Sequence, residues 1–277
     1  FQAEDGIRDY KVTGVQTCAL PICMLQLHGG PDDGGLYQSP SGRLVLGNRR
    51  LALLDLSNEG HMPMRYLDRY IITYNGELYN FRELKEELIR LGHQFNSKTD
   101  TEVILAAFSQ WGILSFSMLK GMFAFALFDE QTDEIYLVRD GAGIKPLYYH
   151  LGDHSLSFAS EYRAMKHVPI EQHNASNWPV YLLAYGHLPE PITLSTAIRP
   201  LPKGFFLKYH IPSGNHSIQL FRHFSFGAEV NDSAVANKSI RTAMDEAVDR
   251  HLLADAPLGV FLSGGIDSGI LATIASA

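Results

Sequence analysis

The chain has 277 residues, 45% of them hydrophobic and 19% charged, with a formal net charge of −7. The mean hydropathy of −0.07 is that of an ordinary globular mixture. The acidic balance argues against non-specific nucleic-acid binding, which needs a basic face. No run approaches the roughly 18 apolar residues of a membrane span, and two cysteines, Cys18 and Cys23, cannot build a disulfide framework. A reducing cytoplasm is the default.

Residues 1–23 have neither an amphipathic period nor the order of a secretory signal, and read as a foreign, adapter-like leader; a disordered native tail is the alternative. Residues 24–27 read as the last turn of a helix, followed by a turn cluster at 28–35. Short strands at 36–37 and 43–47 flank the turn Ser39-Pro40-Ser41-Gly42. After them comes Asn48-Arg49-Arg50-Leu51-Ala52-Leu53-Leu54-Asp55. An arginine at a strand end is either a solvated surface charge or a planar fork for a substrate carboxylate.

A β-rich run, Tyr70-Ile71-Ile72-Thr73-Tyr74, delivers the chain to Asn75-Gly76. Asn-Gly is the favoured pair of a type I′ hairpin turn. At a strand end it also places a side-chain amide beside an unhindered N–H, the two donors that a tetrahedral oxyanion needs. Asn80-Phe81-Arg82-Glu83 then looks like a capping box, which favours a helix over a returning strand. Phe81, Leu84, Leu88 and Leu91 form its apolar stripe, and Gly92 stops it. The next helix opens at Thr99-Asp100-Thr101-Glu102, where Asp100 serves as an N-cap or binds an ammonium group.

Residues 121–129 form a continuous apolar run, the mark of a strand covered on both faces, and 134–140 pairs with it. A second hairpin uses 147–149 and 155–159, two short helices lie near Ala164 and Tyr181, and a strand covers 204–210. Strands joined by hairpins, with helices inserted as a block, predict an α+β layered domain over 24–210. Residues 211–233 read as a linker. A second unit, 234–277, then opens with a helix at 239–253, a buried-type strand at 256–262, and Ser263-Gly264-Gly265-Ile266-Asp267-Ser268 leading into a last helix. Strand, Ser-Gly-Gly-x-Asp-Ser and helix together make a phosphate cradle, with Asp267 able to hold Mg2+; the alternative is a Ser-Gly loop with a capping Asp. It lacks the Gly-Lys-Ser/Thr ending of a Walker A loop.

With these motifs the chain resembles the glutamine-hydrolysing asparagine synthetases over 24–277. The resemblance rests on Gly30-Pro31-Asp32-Asp33-x-Gly35, on 49–57, 74–80, 99–105 and 121–129, on Arg139-Asp140-x-x-Gly143-Ile144-Lys145-Pro146, on Phe158-Ala159-Ser160-Glu161 and on 263–268. It implies a four-layer αββα N-terminal-nucleophile amidotransferase domain followed by the start of an α/β ATP-pyrophosphatase domain. It further implies that Arg50 binds the glutamine α-carboxylate in a pocket lined by Leu51, Leu53 and Leu54. Asp100 holds the α-ammonium, Glu77 lies beside the glutamine, and Asn75 and Gly76 form the oxyanion hole. Leu262, Ser263, Gly264, Gly265, Asp267 and Ser268 would hold ATP with Mg2+, aspartate would be the acceptor, and a homodimer is suggested.

Two departures qualify the resemblance. The family nucleophile is an N-terminal cysteine followed by Gly-Ile, which neither Cys18 nor Cys23 matches, and Gly29 stands where the family has arginine. The expectation is a fragment cut at both ends, without full activity. A related amidotransferase acting on another carboxylate, in polysaccharide or peptide modification, and a nucleophile-less glutamine-binding domain are the alternatives.

Overall fold

The structure, a computed structural model, describes residues 14–170, 174–225, 227 and 230–276, and the backbone alone for 14–19. Residues 1–13 of the expected leader and the last residue of the expected final helix lie outside that set. A helix, α1 (Gly14–Leu25), crosses the boundary expected at Met24.

The centre is an antiparallel sheet of six strands: β3 (Met64–Tyr66), β4 (Tyr70–Leu78), β5 (Gly121–Asp129), β6 (Glu134–Arg139), β10 (Phe205–His210) and β11 (His216–Leu220), in the order β11-β10-β6-β5-β4-β3. The period-2 alternation of β4 and β5 sends side chains to two cores. Ile72, Tyr74, Phe123, Phe125 and Leu127 pack with α2 (Phe81–Arg90) and α3 (Asp100–Trp111). Ile71, Ala124, Ala126 and Phe128 face the opposite way, toward Leu46 and Tyr149. The apolar run of β5 is therefore covered on both faces, as its composition predicts.

Leu46 belongs to the pair β1 (Asp33–Gln38) and β2 (Val45–Arg50), and Tyr149 to β7 (Tyr148–Gly152), which sits between β8 (Ser155–Ala159) and β9 (Arg199–Pro200). These strands form the second sheet layer, and α1 packs on β2 and on the 3-10 turn Tyr162–His167. The order helix, sheet, sheet, helix is the expected αββα arrangement.

Several local expectations change. Asn80 does not cap α2: its Nδ2 donates to Met118 O at 3.0 Å and its Oδ1 accepts from Lys120 N at 2.8 Å. That use ties the 118–120 segment to the helix start and leaves no oxygen for a capping box. Leu91 leaves the stripe, being 50% exposed, because α2 ends at Arg90. The expected linker 211–233 contains β11, which pairs with β10 over Phe205↔Leu220 to Tyr209↔His216. The helix expected near Tyr181 is α4 (Trp178–Tyr185), that expected at 239–253 is α5 (Ser233–His251), and the last one is α6 (Ile266–Ala275). Between α5 and α6, 256–262 forms no strand, with a bend at Ala256, and Phe261 is 99% exposed. An apolar run becomes a strand only when neighbours satisfy its N–H and C=O groups, and no described strand pairs with it.

Candidate active site

The expected site residues Arg50, Leu51, Leu53, Leu54, Asn75, Gly76, Glu77 and Asp100 all line one cleft of about 450 Å³. None of the expected ATP-binding residues, 262–265, 267 and 268, lines this cleft.

The tight turn and the strand end expected at Asn75-Gly76 are both absent. β4 runs on to Leu78 with Asn75 opposite Ala124 and Gly76 opposite Phe123. The useful property survives. Tyr79 N donates to Lys120 O at 2.8 Å, so antiparallel alternation turns the Gly76 and Leu78 N–H groups away from β5. The Leu78 N–H is taken by the Asp100 carboxylate at 2.8 Å. β3 pairs with β4 only as far as Ile72, so the Gly76 N–H meets no strand. A side chain at Gly76 would strike the Met122 carbonyl oxygen and come within 2.7 Å of Phe123 Cα. Glycine is required by this close approach.

Arg50 is not a surface charge. It is 8% exposed, and Leu46, Asn48 and Arg50 alternate inward along β2. Its guanidinium donates to Ser57 O at 3.3 Å, Leu54 O at 3.0 Å and Asp55 O at 2.5 Å. The loop that lines the cleft is therefore wrapped around the fork. Among the described residues the Nε–H and one Nη1–H take no partner, which leaves donors for a carboxylate.

Asp100 is not the N-cap of α3. Thr99 is, with its hydroxyl accepting from Glu102 N at 3.3 Å. Asp100 opens the helix and is buried, accepting from the Tyr74 hydroxyl at 2.8 Å as well as from Leu78 N. Burial raises its pKa while these two donors oppose the rise. Glu77 is buried beside it and titrates at about 7, pushed up by burial and then by the Asp100 charge, with Lys145 pulling the other way.

Three participants escaped sequence reasoning. Asp140 is buried and accepts from Phe123 N, Ala142 N, Ile144 N and Lys145 N at 3.0–3.2 Å. Arg139 holds Lys145 O, Gly143 O and Leu201 O, so the Arg-Asp pair folds the loop that brings Lys145 to the cleft. Asn48 donates to Thr73 Oγ1 at 3.0 Å and Tyr74 O at 3.3 Å, which bridges β2 to β4 just before Asn75. Tyr74 is the third. The Arg139-Asp140 motif was visible in the sequence, but its loop-forming role needs the fold. Cys23 also lines the cleft, against Gly47, and burial pushes its thiol up to about 11.

In the second site, Gly265 precedes α6 without a side-chain cap, Gly264 has φ +81°, and the Ser263 and Ser268 hydroxyls lie 2.9 Å apart. Hydroxyls and open first-turn N–H groups suit an anion. Asp267 is a single exposed carboxylate, and no cluster of three metal-binding side chains occurs among the described residues.

The profile of a glutamine amidotransferase domain matches residues 8–221. The chain belongs to that family. The profile of asparagine synthase matches residues 239–277 of this amidotransferase chain, which includes the Ser263–Ser268 loop. Glutamine-hydrolyzing asparagine synthetase 1 of Bacillus subtilis is 34% identical over 90% of the chain and 39% of its own length. Asparagine synthetase B of Escherichia coli is 33% identical over 97% and 44%, and the Brassica oleracea asparagine synthetase 32% over 89% and 37%. The chain thus spans about two-fifths of the length of the curated relatives it matches. Among the described residues no helix is long and apolar enough to cross a membrane.

Proposed function

We propose that the cleft binds L-glutamine, and that in the whole protein the ammonia released from its side chain amidates aspartate at the expense of ATP. The observation that carries this reading is a single cleft lined together by the buried Arg50 guanidinium, the buried carboxylates of Glu77 and Asp100, and Asn75-Gly76. A free amino acid has the complementary charges.

The roles proposed are those that the family resemblance implies, and the shared cleft supports them. Arg50 takes the α-carboxylate with its remaining N–H donors. Asp100, with Glu77, takes the α-ammonium. The side-chain carbonyl then lies along the free edge of β4, where the Gly76 N–H and the Asn75 amide stabilise the developing oxyanion. The thiol that lines this cleft, Cys23, is pushed up to about 11 by burial, so little thiolate is present near neutral pH. As it stands the chain binds glutamine without turning it over.

At the second site, Ser263, Ser268 and the start of α6 suit the ATP pyrophosphate, backed by Leu262, Gly264 and Gly265. Asp267 suits Mg2+ carried by the phosphates, because Mg2+ needs few protein ligands when phosphate oxygens supply the rest. The cytoplasm and a homodimer fit the same reading.

Isothermal titration with L-glutamine tests it, together with an ammonia assay. Binding that Arg50→Ala abolishes, without ammonia release, is expected. Absence of binding to the folded chain defeats the glutamine assignment, and ammonia release defeats the account of Cys23.

A further inference from the structure

Beyond α5 the chain returns to the cleft from outside, on its way to the Ser263–Ser268 loop. The Asp255 carboxylate accepts the Asp55 N–H at 2.7 Å. The Asp255 and Ala256 N–H groups donate in turn to Leu53 O, at 2.9 and 3.3 Å. These bonds grip the loop whose inner side is wrapped around the Arg50 guanidinium through Leu54 O, Asp55 O and Ser57 O. Asp55 sits in the left-handed region at φ +52°, a conformation that an L side chain holds only when its surroundings fix it. Its own carboxylate is turned away, toward the Ser57 hydroxyl and Lys98 N. A second contact lies alongside: Tyr79 OH and His251 Nε2 are 2.8 Å apart, just past Glu77 on the chain.

We propose that Asp255 is a positioning residue for the glutamine cleft. By holding the Asp55 N–H it fixes the loop carbonyls, and these set the direction in which Arg50 offers its free N–H donors to the α-carboxylate. The cleft of the amidotransferase domain is in this sense completed by the segment that leads into the phosphate loop. The inference rests on the glutamine reading above.

The test uses the full 277-residue chain. L-glutamine affinity is measured by isothermal titration for the wild type, Asp255→Ala and Asp255→Asn, and hydrogen exchange is followed at the Asp55 amide. Asp255 is exposed, so both variants are expected to fold, and circular dichroism checks this. Asp255→Ala is expected to bind about tenfold more weakly, the worth of one charge-assisted hydrogen bond. Exchange at the Asp55 amide accelerates in the same variant. Asp255→Asn keeps an acceptor oxygen and recovers most of both losses. Wild-type affinity in Asp255→Ala overturns the inference and leaves the glutamine reading standing, as does an equal loss in both variants. A folded wild type that binds no glutamine fails the glutamine reading, and the inference with it.

Discussion

Tyr74 donates its hydroxyl proton to the Asp100 carboxylate across 2.8 Å, with both groups buried. The pair joins β4, the strand next to the edge strand β3, to the first residue of α3, at the place where a ligand ammonium is expected. Removing the hydroxyl in Tyr74→Phe leaves the ring volume in place. The carboxylate keeps only the Leu78 N–H as a neighbouring-strand donor. The expected cost is about 1–2 kcal/mol in urea denaturation. The Asp100 pKa rises further, since a donor to its charged form is gone, and glutamine binds more weakly at mildly acidic pH.

Glu77 gives a pH dependence whose sign follows from its position. Its pKa is raised from 4.5 to about 7 by burial and by the Asp100 charge. The neutral form is therefore the one favoured in the fold. The stability it contributes is fully present below about pH 4.5 and is lost as pH rises through about 7. Binding runs the other way, because a ligand ammonium favours the ionised carboxylate. Glutamine affinity is expected to increase through neutrality, with a proton released on binding. In Glu77→Gln that increase is flattened. Titration calorimetry in buffers of different ionisation enthalpy reads the proton directly.

Much of this was legible in the residues. The continuous apolar run of β5, the stripe of Phe81, Leu84 and Leu88, and the turn at Ser39–Gly42 each follow from local pattern, and the structure keeps them. The site residues were legible as a set only through the family resemblance, and the cleft brings the glutamine set together. What failed was the local geometry. Asn75-Gly76 and Asp100 carry strong turn and cap signals, yet long-range pairing with β5 and the side chain of Tyr74 outcompete them. The Asn80 cap signal lost to Met118 and Lys120 in the same way. Tertiary hydrogen bonds of this kind leave no mark within a short window of sequence. The 256–262 run shows the converse, since its strand-like composition has no described partner strand to act on.

Gly76→Ala tests whether the glycine is there for space. The added methyl meets the Met122 carbonyl and the Phe123 backbone rather than a side chain that can swing aside. One strand must move against its neighbour in a nine-residue pairing. A loss of about 1–3 kcal/mol is expected, in the range of overpacking changes. Glutamine binding is expected to weaken, since Glu77 and the Leu78 N–H that holds Asp100 shift with the strand.

Cys23 offers a chemical probe of the same cleft. Its thiol is pushed up to about 11, so little thiolate is present at neutral pH. On a Cys18→Ser background, modification by a thiol-reactive dye is expected to be at least about tenfold slower in the folded chain than in urea. Equal rates would show that burial does not hold the proton.

Asp140→Asn probes how Lys145 reaches the cleft. Oδ1 accepts from Ala142 N and Ile144 N, and Oδ2 from Phe123 N and Lys145 N. Whichever oxygen becomes the amide nitrogen, two N–H groups then face a donor, and of the four only that of Phe123 lies in a fully buried bond. Leaving them unsatisfied is expected to cost about 2–5 kcal/mol, at the upper end for a single polar change. The 141–146 loop loosens first, because three of the four bonds end in it. Lys145 is one of the groups holding the Glu77 pKa down. Its withdrawal therefore moves the neutral-pH rise in glutamine affinity to higher pH. A destabilised variant whose binding midpoint stays where it was would separate loop folding from the electrostatics of the cleft, and would remove Lys145 from the account of Glu77.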